Sequence, residues 1–193
     1  MSQALRQIPN LITLIRILLI APVAVTLMHR QLETSLALFA VAAASDALDG
    51  FLAKRFGWQS VLGSILDPIA DKLLLATVFV SLALLRLVPP WLMAVVLARD
   101  AIIVAGAAAY RFFIGPLTAQ PSMVSKLNTL CQAAFVLCVV ASAAFSQLPI
   151  WVGSGLGALV LATTVVSGID YVMTYGRRAA AARGAGAARS VQP

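Results

Sequence analysis

Charge is what this 193-residue sequence has least of: seven acidic and fourteen basic residues make up 11% of it, against 61% hydrophobic residues and a mean hydropathy of +0.96. A soluble globular domain carries roughly 25% charged residues, so the chain reads as an integral membrane protein. Histidine occurs once, as His29 in a short polar loop, where it reads as solvated rather than as a ligand. The two cysteines, Cys131 and Cys138, lie in one apolar run, which suits two buried small residues better than a disulfide or a metal clip. Period-two alternation is missing too, which excludes a barrel and leaves helices to satisfy the backbone inside a bilayer. The net charge of +7 raises the question of nucleic acid, but the basic residues cluster at helix ends and in the C-terminal tail. Lipid head groups are their nearer partners, and no nucleic acid is expected.

What is present is a series of apolar runs of about twenty residues, the length that crosses a bilayer. The expected fold class is all-α with six transmembrane helices: about 12–28, 32–55, 60–87, 91–113, 122–145 and from Pro149 to about Tyr175. Met1–Gln7 is expected to lie at the interface before Pro9-Asn10 turns the chain inward, and it is too short for a transit peptide. Pro89-Pro90 should stop the third span. One membrane domain, 1–178, is followed by an Ala, Gly and Arg tail, 179–193, with too little apolar bulk to fold. Arg6, Lys54, Arg55, Arg111, Arg177, Arg178, Arg183 and Arg189 fall on the side of the termini, against Arg30 and Arg86 on the other. The positive-inside rule then puts both termini, and the turn between spans two and three, in the cytoplasm.

Four of the seven acidic residues, Asp46, Asp49, Asp67 and Asp71, stand close together in this apolar sequence. Charge inside a membrane segment is costly and is a functional candidate by default. At about 100° per residue Asp46, Asp49, Gly50 and Ala53 share one face of span two, and Gly63, Asp67 and Asp71 one face of span three. A short turn near Gly57–Gln59 should make the spans antiparallel neighbours, with Asp49 and Asp67 both about 12 Å below it. Converging carboxylates need a cation between them. Oxygen ligands without nearby His or Cys select Mg²⁺, Mn²⁺ or Ca²⁺ over zinc, and two such ions would suit a phosphoryl-transfer site. Gly50, Ala53 and Gly63 are small where a bulky ligand would approach, and Lys54 and Arg55 can ground phosphates. The competing structural reading packs helices with the small residues and pairs the acids with Lys72, Arg16 and Arg99. It explains the glycines and leaves four acids at helical spacing unexplained, because apolar residues would serve at lower cost. Arg16 either snorkels to the head groups or faces a polar cavity.

The pattern Asp46-x2-Asp49-Gly50-x2-Ala53-Lys54-x8-Gly63-x3-Asp67-x3-Asp71 resembles the signature of the CDP-alcohol phosphotransferase family, with seven of its eight residues identical. The departure is Lys54, where the family usually has Arg; lysine keeps the charge and loses the bidentate fork. The resemblance runs over about residues 8–175, through Pro9-Asn10, Thr13, Arg16 and Asp67-Pro68-x-Ala70-Asp71-Lys72. It implies a six-helix, usually dimeric membrane enzyme that joins the phosphate ester of a CDP-linked substrate to an alcohol and expels CMP. Asp46, Asp49, Asp67 and Asp71 would hold two Mg²⁺ or Mn²⁺ ions, with Asp71 also the base for the acceptor hydroxyl. Gly50, Ala53, Lys54 and Gly63 would lie against the cytidine and diphosphate.

Arg99 and Lys126 are intramembrane cations, and a phosphate on the acceptor would give both a partner; alternatively Arg99 pairs with Asp100 or Asp170. Ser125-Lys126-x2-Thr129 resembles the span-five motif of the phosphatidylglycerophosphate synthase and CMP-forming cardiolipin synthase branch. The expected reaction moves the phosphatidyl group of CDP-diacylglycerol to a glycerol-type alcohol. A compact chain without an organelle leader favours glycerol-3-phosphate and a bacterial inner membrane, while Arg99-Asp100 and Lys126-Leu127-Asn128-Thr129 look closer to the enzymes that use phosphatidylglycerol. A divalent-cation transporter is the alternative from another class.

Overall fold

The computed structural model describes the backbone of residues 8–56, 61–113, 122–145 and 150–189 and the side chains of residues 12–45, 66–110, 112, 122–145 and 152–177. The chain forms six helices: α1 Ile8–Met28, α2 Leu32–Phe56, α3 Val61–Leu84, α4 Pro90–Phe113, α5 Met123–Phe145 and α6 Ile150–Arg189.

Local chemistry sets the helix ends. Arg30 adopts a left-handed conformation (φ 56°) just after α1, and the Gln31 N–H donates to the Thr26 carbonyl at 2.9 Å. Arg86 repeats this after α3, with φ 59° and the Leu87 N–H donating to Leu82 at 2.9 Å. Both are Schellman closures with arginine where glycine is usual. The third span therefore ends at Leu84, stopped by this cap rather than by Pro89-Pro90. Pro90 instead opens α4, at the position where a missing N–H costs nothing. Pro9 likewise sits in the first turn of α1, so Pro9-Asn10 continues the helix where a turn was expected; Met1–Gln7 lies outside the described residues. Ser122 caps α5, its hydroxyl accepting from the Ser125 N–H at 3.2 Å. At the C-terminus α6 continues to Arg189, past residue 179 where a disordered tail was expected. The Ala-rich run that follows Arg178 has no apolar bulk, but alanine has the highest helix propensity and carries the helix on from α6.

Three segments are long and apolar enough to cross a membrane among the described residues: Pro90–Tyr110, Met123–Phe145 and Val152–Arg177. Shorter apolar helices cover Ile12–Met28 and Leu32–Ser45. The third helix interrupts its own apolar run with Asp67, Asp71 and Lys72.

Helix α1 packs along both α2 and α3, while α2 packs on α5, α5 on α6, and α6 on α4. Among the described residues α2 and α3 have no extended contact with each other. The expected antiparallel neighbours are thus bridged by α1 in the halves remote from their connection, and the turn at Gly57–Gln59 lies outside the described residues. One half of the bundle is an apolar plug. Val23 and Leu27 of α1 meet Phe39 and Ala42 of α2, Val78, Phe79 and Leu82 of α3, Leu92 and Val96 of α4, Phe135 and Val140 of α5 and Val160 of α6. Phe79 and Phe135 stack with centroids 6.1 Å apart, and the Phe135 ring lies beside Gly157 of α6. Lipid is as apolar as leucine, so dispersion and fit hold this plug together rather than the hydrophobic effect. Large apolar side chains such as Leu18, Leu73, Ile102 and Val166 are exposed, as a lipid-facing surface requires. The other half of the bundle is polar inside.

Candidate active site

Above the plug, five helices turn polar side chains inward: Thr13 and Arg16 on α1, Asp67, Asp71 and Lys72 on α3, Arg99 and Asp100 on α4, Ser125, Lys126, Asn128, Thr129 and Gln132 on α5, and Thr164 and Ser167 on α6. Arg16 is fully buried and donates to Asp71 Oδ1 at 2.7 Å. Of the two positions open to Arg16, the structure selects the polar interior. The Thr13 hydroxyl donates to Asp67 Oδ1. Asp67 and Asp71 are one helical turn apart, so α1, at one turn's spacing itself, orients both carboxylates. Pro68 lies between them and cannot donate to the helix ladder.

A second cluster lies across from them. Asp100 Oδ1 accepts from Lys72 Nζ at 2.7 Å and from Arg99 Nη1 at 2.6 Å. Arg99 Nη2 also donates to Ser125 Oγ at 2.8 Å and to Ser167 Oγ. This network ties α3, α4, α5 and α6 together around a guanidinium only 4% exposed. Gly168 of α6 lies against the Arg99 stem, where an added Cβ would make ordinary contact with Cγ at 3.7 Å. Arg99 is therefore engaged by its helix neighbour, one of its two expected roles, and does not line the cavity.

That cavity, of about 350 Å³, is lined by Asp67, Asp71, Lys72, Asp100, Lys126 and Gln132, among others. A second, more apolar cavity of about 400 Å³ adjoins it between α1, α2, α3 and α5 and includes Phe39, Leu74, Leu130 and Leu137. Asp71, Leu75, Lys126 and Thr129 belong to both. Among the described residues Lys126 has no carboxylate partner, while Lys72, also in the lining, shares the single charge of Asp100 with Arg99. The arrangement joins two oriented carboxylates and a net excess of basic side chains around Lys126 to an apolar groove, chemistry suited to an anionic head group with acyl chains.

Asp46, Asp49, Gly50, Ala53, Lys54 and Gly63 lie outside the residues whose side chains are described; their backbones fall in α2 and in the first turn of α3. Among the described residues no three His, Cys, Asp or Glu side chains gather into a metal site. The part that is described fits a hard divalent cation: Asp67 and Asp71 offer oxygen donors into one cavity whose described lining has no sulfur or imidazole. Their bonds from Thr13 and Arg16 are the outer-shell contacts that orient such ligands.

Sequence reasoning missed Gln132 and Ser167. The available signal was a polar stripe, Ser125, Asn128, Thr129 and Gln132, at i, i+3, i+4 and i+7 on an apolar helix.

Fold and site together define a helical membrane protein with a charged cavity opening beside an apolar one. The family model for CDP-alcohol phosphatidyltransferases matches residues 6–186, and the chain belongs to that family. It is 32% identical over 182 residues to a protein of Drosophila melanogaster named "Probable cardiolipin synthase (CMP-forming)", covering 86% of this chain and 56% of the relative. It is 34% identical over 157 residues to the chloroplastic CDP-diacylglycerol–glycerol-3-phosphate 3-phosphatidyltransferase 1 of Oryza sativa, covering 70% of this chain and 47% of that one. A protein of Mycobacterium tuberculosis named "Probable phosphatidylglycerophosphate synthase" is 29% identical over 175 residues, covering 84% of this chain and 78% of the relative. The chain thus spans about half the length of the Drosophila and rice relatives.

Proposed function

We propose that this protein is a phospholipid-synthesising membrane transferase that moves the phosphatidyl group of CDP-diacylglycerol to the hydroxyl of a glycerol-type alcohol and releases CMP. The observation that carries the reading is the cavity in which Asp67 and Asp71 face Lys126 beside an apolar groove, in a chain of the CDP-alcohol phosphatidyltransferase family.

Asp46, Asp49, Asp67 and Asp71 would hold two Mg²⁺ or Mn²⁺ ions, which when bound neutralise phosphate oxygens and the charge on the departing CMP. Asp71 accepts the proton of the acceptor hydroxyl as its oxygen bonds to the phosphatidyl phosphorus and the bond from that phosphorus to CMP breaks. Arg16 holds the Asp71 carboxylate in place, and Thr13 holds Asp67. Gly50, Ala53, Lys54 and Gly63 lie against the cytidine and diphosphate. The groove beside Asp71 takes acyl chain.

Charge bears on the acceptor. A glycerol-3-phosphate monoester is nearly a dianion and calls for two cations, whereas a phosphatidylglycerol diester carries one negative charge. Asp100 supplies one negative charge to both Arg99 and Lys72, so a net positive charge remains there in addition to Lys126. Charge at the cavity therefore admits either acceptor, and the apolar groove beside Asp71 and Lys126 favours phosphatidylglycerol, whose acyl chains it would take, and hence cardiolipin as product, in keeping with the name of the Drosophila relative. Glycerol-3-phosphate is the second reading, carried by the names of the rice and mycobacterial relatives.

The protein works as a homodimer in this reading, with six spans, both termini and the cavity mouth on the cytoplasmic side, supported by the distribution of basic residues, and its setting is a bacterial inner membrane. The test is purified protein in vesicles with CDP-diacylglycerol, Mg²⁺ or Mn²⁺, and each acceptor separately. CMP release that depends on phosphatidylglycerol is expected. Release with glycerol-3-phosphate alone reverses the choice of acceptor, and metal uptake without CMP release favours a transporter.

A further inference from the structure

Gln132 is 1% exposed, lines the cavity that holds Asp71 and Lys126, and has an amide nitrogen with no hydrogen-bond partner. Buried polar groups are nearly always satisfied, and an unsatisfied one in a low-dielectric site calls for an explanation. Its neighbour Asn128 shows the structural use of an amide on this helix. Asn128 Oδ1 accepts from the Thr163 and Thr164 hydroxyls at 2.9 and 3.0 Å, which locks α5 to α6. Asn128 Nδ2 is also without a partner, but Asn128 does not line the cavity. Gln132 makes no such tie, and it shares its face with Thr129 and Ser125, one and two turns nearer the N-terminus of α5.

We propose that Gln132 is a specificity-determining residue for the acceptor: its Nε2 donates to an oxygen of the glycerol-phosphate head group while Lys126 compensates the phosphate charge. The inference rests on the transferase reading and deepens it. Lys126 attracts any anion that fits, whereas a buried amide without a partner rewards only an oxygen delivered to its own position. A site built to donate a hydrogen bond rejects analogues lacking the matching group, because the buried donor is then left unpaired. An uncharged amide neither takes up the acceptor's proton nor joins the phosphorus, so the effect of Gln132 falls on acceptor binding.

The test compares Gln132→Met, which keeps length and removes the donor, with Gln132→Asn, which keeps the amide and withdraws it by one methylene. Initial rates of CMP release are measured against phosphatidylglycerol, glycerol-3-phosphate and CDP-diacylglycerol, each varied in turn. The expected result for both variants is a KM for the preferred acceptor raised about tenfold, an unchanged KM for CDP-diacylglycerol, and an unchanged melting temperature without acceptor. A second measurement needs no turnover: the rise in melting temperature caused by acceptor in the parent protein should be lost in both variants. Parent-like acceptor KM and acceptor-induced stabilisation overturn the proposal, as does an equal rise in the KM for CDP-diacylglycerol. A parent protein that releases no CMP refutes the transferase reading instead, and the stabilisation assay then still decides the role of Gln132.

Discussion

Replacing Asp100 by Asn removes the one negative charge that serves both Arg99 and Lys72. Arg99 is 4% exposed and its Nη1 lies 2.6 Å from Asp100 Oδ1, so its charge becomes uncompensated where water does not reach it. Breaking a buried ion pair from one side costs about 3–5 kcal/mol. Lys72, 32% exposed, adds less than about 1 kcal/mol because solvent screens it. At about 2–4 °C per kcal/mol for a chain of this size, the melting temperature should fall by roughly 6–20 °C. Cys131 and Cys138 are free and half-buried in α5, so a thiol-reactive fluorophore reports unfolding in detergent. The double variant Arg99→Met with Asp100→Leu removes both charges and should recover most of the loss, as buried pairs replaced by apolar residues do. A double-mutant cycle should show coupling above about 1 kcal/mol. An Asp100→Asn protein melting within about 2 °C of the parent would refute the reasoning.

Asp71→Asn should lower CMP release by a factor of about 10²–10⁴, the range of a lost general base. It should also lower the melting temperature by several degrees, because buried Arg16 loses its counter-charge; near-parent turnover removes Asp71 as base. Lys126→Met should raise the acceptor KM at least tenfold (a charged hydrogen bond is worth about 1.5–3 kcal/mol) and leave the KM for CDP-diacylglycerol unchanged, and an equal rise in both contradicts the role given to Lys126. Chelation by EDTA should abolish CMP release, and Mg²⁺ or Mn²⁺ should restore it; turnover that persists without metal excludes the proposed ligand role of the aspartates. Arg86→Gly should stabilise the protein by about 0.5 kcal/mol, the left-handed strain relieved less the entropy gained by the unfolded chain, and a lower melting temperature contradicts that balance.

Helix number and approximate ends were legible because long apolar runs separated by short polar stretches mark them, and the spacing of Asp67 and Asp71 placed both on one face of α3. The misreadings have local causes. Pro9 and Pro90 were read as breakers, although a proline in a first turn costs no hydrogen bond. The stop after α3 is a left-handed Arg86, which carries no compositional signal because glycine usually marks such a cap. The tail was judged by its lack of apolar bulk, while alanine propensity continued a helix already nucleated. Pairing in the site was harder to read: Arg99 and Arg16 were both candidates for salt bridges or for ligands, and only the packing of α1 against α3 and of α6 against α4 decides which carboxylate each meets. Gln132 looked like any polar residue in an apolar helix until its burial and its unpartnered amide could be seen together.

Transfer of an intact phosphatidyl group is measured directly by labelling that group. CDP-diacylglycerol with isotopically labelled acyl chains and unlabelled phosphatidylglycerol are supplied to the purified protein in vesicles with Mg²⁺ or Mn²⁺, and product lipid and CMP are quantified together. Cardiolipin should carry label in one of its two phosphatidyl halves and form in step with CMP, only when acceptor is present. CMP released without acceptor, or product lipid that never contains the labelled half, contradicts that transfer.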